Sequence, residues 1–299
     1  MHKQAWIYLL LLSLIWGASF AFIEIALTKT APFTLVSLRV CCGALALWLW
    51  LRYLGQYLPM SRAFWGPVFI MGFINNALPF VLIAWGQQSI SAGTASILNA
   101  NTAFAGVLVS ALFLAEERLK LHRLIGVLIG ISGVVLVIGP QNLLDISPTS
   151  LGQIAVLGAT ISYAFASVWG RLRLAQFPST QLACGMLMAA AVQMLVITPF
   201  VEGVPELSDI VNWQIGVSML GLGVGGTAIA YILYFKILQL AGASNVLLVT
   251  IIVPVFAVFL DAVLLGQWVG GQAIMGFGVV ALGLGIMDGR LFRLAKKGH

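Results

Sequence analysis

Two ionisable side chains stand at depths where hydrocarbon is expected. Glu24 precedes, and Arg39 follows, a short turn around Thr28, Lys29, Thr30 and Pro32, and both are flanked by apolar residues. Counted from that turn at 1.5 Å per helical residue, both lie roughly 9–14 Å deep. A charge inside a membrane is costly, so it pairs, or it faces a protein interior or a water-filled path. Their matching depth makes Glu24 and Arg39 candidates for an ion pair that staples two helices or closes a gate. Asp261 stands shortly before another turn, at Gly266 and Gln267, and is a competing partner for Arg39. A carboxylate at such a position also offers a place for a proton or a substrate amine.

A second set of residues is uncharged. Asn75, Asn76, Asn99 and Asn101 interrupt apolar runs, and an amide in lipid must find partners. Spacings of three, four and seven residues gather small and polar groups on single helix faces. One face holds Ser13, Gly17, Phe20 and Glu24; another Ala92, Ala95, Asn99, Thr102, Gly106 and Ser110; a third Thr250, Pro254 and Asp261. Two readings stay open for such faces: close helix packing, and the lining of a polar cavity. Pro79 and Pro254 each remove a backbone hydrogen bond inside a helix, giving a static bend or a hinge with a freed carbonyl. Trp16, Phe20, Tyr163, Trp169, Tyr231 and Tyr234 are candidate aromatic walls. Trp48, Trp50, Trp65 and Trp213, nearer segment ends, suit an interfacial belt.

The elements that carry these residues follow from composition. Hydrophobic residues make up 61% of the 299 and charged residues 8%, against roughly 25% charged in soluble domains. Such a chain cannot cover its own surface with polar groups, and its partner is the lipid bilayer. The net charge of +6 is carried by basic residues scattered singly and in pairs, which suits membrane-flanking loops and not a nucleic-acid groove. Cys41, Cys42 and Cys184 lie in apolar runs and imply no disulfide framework. No metal-ligand spacing occurs, and no cofactor is implied. The apolar run after Lys3 is longer than a signal-peptide core, so it is expected to remain as a spanning helix.

Cutting the chain at charges, prolines and polar clusters predicts ten spans: 5–28, 32–51, 63–86, 91–114, 122–139, 151–172, 179–200, 212–238, 243–265 and 269–290. Each approaches the 20 or so residues needed to cross the hydrocarbon. With the N-terminus inside, every basic residue of the 15 except Lys29 and Arg39 falls on the inner side. That is the positive-inside pattern, with both termini cytoplasmic.

Weak internal similarities recur at half the chain length. Ile15, Trp16, Gly17 and Ala18, with Pro32 beyond, resemble Ser162, Tyr163, Ala164 and Phe165, with Pro178 beyond. Thr102–Phe104–Ala105 likewise matches Pro254–Phe256–Ala257, and Gly126, Gly130 and Gly133 fall over Gly276, Val280 and Gly283. These imply five-helix halves, 1–145 and 146–299. Five is odd, so the second half is inverted, an arrangement that puts a site at the repeat interface near the midplane. The predicted fold class is an all-α polytopic membrane protein of two inverted five-helix repeats.

Several stretches resemble the drug/metabolite transporter superfamily, EamA type. They are Trp16–Gly17–Ala18–Ser19–Phe20, Pro32 with Arg39, Leu112–Phe113–Leu114–Ala115–Glu116, and the ladder of Gly126, Gly130 and Gly133. The resemblance spans essentially the whole chain. It implies a transporter of small polar metabolites, commonly an exporter of amino acids or related compounds, in a bacterial inner membrane. This chain departs from the family pattern at Glu24, where a nearby lysine is common, at Gln267, where Gly–Glu is usual, and at Thr102, where proline is common.

The expected mechanism is alternating access. Helices one, three, four, six, eight and nine would surround the site, with two, five, seven and ten as scaffold. A cavity of amides, carbonyls and aromatics with few fixed charges favours neutral or zwitterionic solutes. A multidrug or cationic-compound exporter is the alternative. An enzyme lacks convergent catalytic groups in this sequence, and a channel lacks rings of like residues. The sequence leaves the oligomeric state open.

Overall fold

The computed structural model describes residues 3–114, 116–117, 119–142, 146–206, 210–246 and 248–289. Ala115 of the fourth-helix motif and the division at residue 145 lie outside them. Ten helices long and apolar enough to span a membrane are present among the described residues: α1 Lys3–Leu27, α2 Pro32–Tyr53, α3 Arg62–Gly86, α4 Ala92–Phe113, α5 Leu121–Ile138, α6 Pro148–Arg173, α7 Ser179–Val201, α8 Trp213–Ala241, α9 Leu248–Leu265 and α10 Gly271–Asp288. They agree with the ten predicted spans to within a few residues, except at the start of α9. There a four-residue helix, Ala243–Val246, precedes the span, because Gly242 takes φ +75° and ends α8.

Local chemistry sets the other boundaries. Ser61, Ser91 and Asn212 each cap a helix by accepting a backbone N–H from three residues on. Ser147 and Ser150 form a reciprocal capping box ahead of α6. Pro32 and Pro148 stand in first turns, where the missing N–H costs nothing. Leucines, valines and isoleucines such as Leu45, Leu49, Leu128, Val192 and Leu195 point outward and exposed, as side chains facing acyl chains do.

With ten spans among the described residues, Lys3 and Asp288 lie toward one face. We call this the terminal face, and the side bearing the 28–31, 87–91 and 266–270 loops the far face. Helix packing has an internal two-fold pattern. The pair α1·α9 is matched by α6·α4, α1·α8 by α6·α3, and α2·α8 by α7·α3, while α2·α7 and α5·α10 map onto themselves. Exchanging the halves therefore preserves the packing, and because each half has five spans they run in opposite directions. This is the inverted repeat. Its register is the one the sequence suggests. A Cβ on Gly17 of α1 would meet the backbone of Ala257 on α9, and Ala164 of α6 packs with Ala105 of α4.

Glycines allow the closest of these contacts. A Cβ on Gly126 would stand 2.6 Å from the Gly283 carbonyl, and one on Gly133 2.9 Å from that of Gly276. The α5·α10 backbones are in direct contact, so this ladder is packing and lines no cavity. The third helix of each half also carries a widened, π-helical stretch, Phe73–Ala77 in α3 and Leu220–Ile229 in α8. In α3 it ends beside Pro79, and Leu78 N–H bonds back to Phe73. The extra residue makes room for the proline ring and leaves local carbonyls free for side chains.

Candidate functional site

Polar side chains of the α3 π-helical stretch reach the residues of α8 that follow its own π-helical stretch. Asn75 and Asn76 both donate through Nδ2 to the Tyr231 hydroxyl, each at 3.1 Å. Trp16 of α1 donates its indole N–H to the Gly226 carbonyl at 3.2 Å, and its ring lies 6.1 Å from that of Tyr234. Ser162 of α6 donates to the Ile74 carbonyl at 2.6 Å. These carbonyls belong to the loosened stretches. α1, α3, α6 and α8 thus meet through groups that a regular helix would keep to itself.

Arg39 enters this centre from α2. It is 6% exposed. Its Nε donates to Thr227 Oγ1 at 3.3 Å, and its guanidinium carbon lies 3.8 Å from the centroid of the Phe80 ring. Thr227 is one helical turn before Tyr231, and Phe80 one turn after Asn76. The cation therefore sits one turn farther toward the far face than the Asn75–Asn76–Tyr231 cluster. Tyr163 and Tyr231 are within its electrostatic reach.

The predicted ion pair of Arg39 with Glu24 or Asp261 does not form. Among the described residues the salt bridges are those of Glu117 with Arg123, at 3.6 Å, and with Arg171. Depth and azimuth both separate them: Glu24 lies three residues from the end of α1, at the start of α4, whereas Arg39 lies seven residues into α2 and turns toward α8 and α3. Glu24 Oε2 instead accepts the Ala92 N–H at 2.9 Å, and Asp261 Oδ2 accepts the Gly93 N–H at 2.8 Å. With Ser91 taking the Thr94 N–H at 3.2 Å, the first turn of α4 is closed by groups from three segments. Those amides carry the positive end of the helix dipole, which favours carboxylates there. Gln267 donates to the other oxygen of Glu24, and Gln87 donates to the Phe20 carbonyl at 2.9 Å. Glu202 does the same for α2, accepting the Phe33 and Thr34 N–H groups at 2.9 and 2.8 Å.

The far face is therefore sealed where α1, α4 and α9 converge. The opposite ends differ. The extensive packing of α9 on α4 is confined to the half Ala92–Asn99, while the half Thr102–Phe113 packs on α6. α4 loosens between these halves at Ala100 and Asn101. A Cβ on Gly106, in the second half, would meet nothing within 4 Å. Trp16, Asn75, Asn99, Tyr163 and Tyr231 are half-buried. The bundle is closed toward the far face and spread toward the terminal face.

The predicted cavity residues fall into two groups. Trp16, Asn75, Asn76, Tyr163 and Tyr231 come together around the π-helical stretches. Asn99 lies on α4 with a buried Oδ1 that no group of the structure satisfies, and Asn101 donates to Thr160 Oγ1 at 3.3 Å. The others stand apart. Phe20 is buried, with its carbonyl tied into the far-face seal. Trp169 donates to the Pro67 carbonyl at 3.0 Å, roughly 9 Å along α6 from Tyr163 at 1.5 Å per residue. Pro254 is buried in the stretch of α9 that packs on Gly17. Pro79 is buried behind the π-helical stretch of α3. Thr250 is half-buried on α9.

Sequence reasoning missed Phe80, Ser91, Gly93, Gln267 and Glu202 as functional partners. Ser91 alone carried a signal, as a serine at the start of a predicted helix. Thr227 stands four residues before Tyr231, on the same helix face, but nothing in its spacing ties it to Arg39.

Comparison with known proteins agrees with this architecture. The model of the EamA-like transporter family matches twice, over residues 4–139 and 150–287. The uncharacterised transporter YoaV of Bacillus subtilis is 24% identical over 273 residues, covering 91% of this chain and 92% of that protein. The protein PecM of Dickeya dadantii is 24% identical, covering 95% and 92%. The uncharacterised inner membrane transporter YedA of Escherichia coli K12 is 27% identical, covering 95% and 89%. A solved crystal structure with 19% identity superposes with a TM-score of 0.71 over 98% of this chain and 99% of its own, which speaks to the fold alone. Two matched repeats, ten spans and full-length relatives lead to one conclusion: the chain is an integral membrane protein of the EamA-like transporter family.

Proposed function

We propose that the protein exports small polar metabolites, amino acids or related compounds among them, by alternating access through the centre between α3 and α8. The observation that carries this reading is the asymmetry of a symmetric fold. α1, α4 and α9 are locked together by Glu24, Asp261 and Gln267 on the far face, while α4 and α9 part toward the terminal face. Inverted repeats that adopt unequal conformations are the means by which such carriers expose a fixed site to one side and then the other. The halves 1–145 and 146–299 are the units that exchange conformations. The positive-inside pattern supports a cytoplasmic terminal face, in a bacterial inner membrane. This makes the state described here inward-open, with Glu24 and Asp261 as the outer gate.

The test is efflux from cells or proteoliposomes containing the protein. Saturable, competable efflux of an amino-acid-like solute is expected. Background flux across a broad panel of amino acids, polyamines, nucleosides and cationic drugs contradicts the proposal.

A further inference from the structure

Arg39 is a buried cation without a counter-ion. No carboxylate lies within ion-pair distance of it among the described residues, and its terminal nitrogens make no hydrogen bond there. One neutral hydrogen bond to Thr227 and the face of Phe80 are its close partners. A cation–π face and one neutral hydrogen bond return less than the cost of taking an ion out of water. The partners present do not balance the burial.

The surrounding groups share the same bias. Tyr231 already receives two amide donors, so its own O–H is left to donate, and no acceptor for it is present among the described residues. The Tyr163 hydroxyl likewise makes no hydrogen bond there. Arg39, Tyr163 and Tyr231 form a cluster of donors lacking an acceptor. The centre thus has positive and donating groups at its far-face end and no anion to match them among the described residues.

We infer that Arg39, with the Tyr163 and Tyr231 hydroxyls, is the receptor for a carboxylate of the transported solute. A guanidinium fork binds a carboxylate through paired charge-assisted bonds, and the solute brings the missing counter-charge as it binds. The substrate class is then the small amino acids and organic acids, and organic cations are excluded. This rests on the carrier reading and narrows it.

The experiment measures thermal stabilisation and inhibition of solute exchange by matched probes. These are the twenty amino acids, their carboxamides, the corresponding decarboxylated amines, and short monocarboxylates. Carboxylate-bearing probes are expected to act, with the carboxamides and amines about tenfold weaker or worse, since a hydrogen bond to a charged group contributes about 1.5–3 kcal/mol. Arg39→Gln is expected to raise the half-saturating concentration of acids by a similar factor, and Arg39→Lys by less. The probe comparison needs no variant, so it stands even where Arg39→Gln fails to fold. Carboxamides or amines as effective as acids overturn the assignment while leaving the carrier reading intact. An unchanged acid affinity in folded Arg39→Gln does the same. Absence of response to every solute overturns both.

Discussion

Glu24 and Asp261 take consecutive amides at one helix end: Glu24 accepts the N–H of Ala92 and Asp261 that of Gly93, at 2.9 and 2.8 Å. They come from α1 and α9, one from each half of the repeat, and they meet on α4. Breaking these two bonds lets α1 and α9 leave α4 without disturbing the bonds within any helix.

Asp261→Ala leaves the Gly93 amide buried and unpaired, while Asp261→Asn keeps an acceptor. A stranded donor costs about 1–3 kcal/mol. Thermal unfolding in detergent is expected to place Asp261→Ala well below the wild type and Asp261→Asn between the two. Equal stability of all three contradicts a capping role.

Glu24 faces the Ala92 amide, the Gln267 side chain and, across the same turn, the Asp261 carboxylate. The ionised carboxylate is the form that caps α4, so where the gate opens as this carboxylate takes up a proton, Glu24→Gln removes the dependence of flux on a pH gradient and spares solute exchange. Flux measured with and without an imposed gradient checks this. Retained pH dependence makes Glu24 purely structural.

Spans and repeat register were legible in the sequence because both rest on short-range signals. The apolar runs of about 20 residues and the glycines of α5 and α10 need no partner to be recognised. The partner of Arg39 was not legible. Counting from the middle of the turn puts Glu24 and Arg39 level, but α1 ends at Leu27 and α2 starts at Pro32, so Arg39 is the deeper; the direction of a side chain around the helix depends on which neighbour arrives there. The π-helical stretches also turn α3 and α8 off the regular helical period, so face assignments drift beyond them. Gln267, noted as part of a turn and as a departure from a family pattern, is a direct partner of Glu24.

Tyr231→Phe removes the shared acceptor of Asn75 and Asn76. About 1–3 kcal/mol of destabilisation is expected from the stranded amides, read as a lowered unfolding temperature. No change contradicts the bridging geometry.

Gly130 and Gly106 make a contrasting pair. A Cβ on Gly130 would fall 2.1 Å from Phe104 Cζ, whereas one on Gly106 meets nothing within 4 Å. Gly130→Ala is expected to destabilise by about 1–3 kcal/mol through overpacking. Gly106→Leu is expected to leave stability near the wild type and to lower flux by narrowing the open side. The reverse order in thermal unfolding contradicts the assignment of one glycine to packing and the other to open space.

Alternating access is tested most directly by counterflow. Proteoliposomes are loaded with a high concentration of an unlabelled solute identified by efflux, then diluted into buffer with a trace of the labelled form. A carrier returns with label each time it delivers unlabelled solute, so transient accumulation of label above equilibrium is expected, and it should vanish without the internal load. Simple equilibration of the label, without overshoot at any load, contradicts a carrier and indicates a pore.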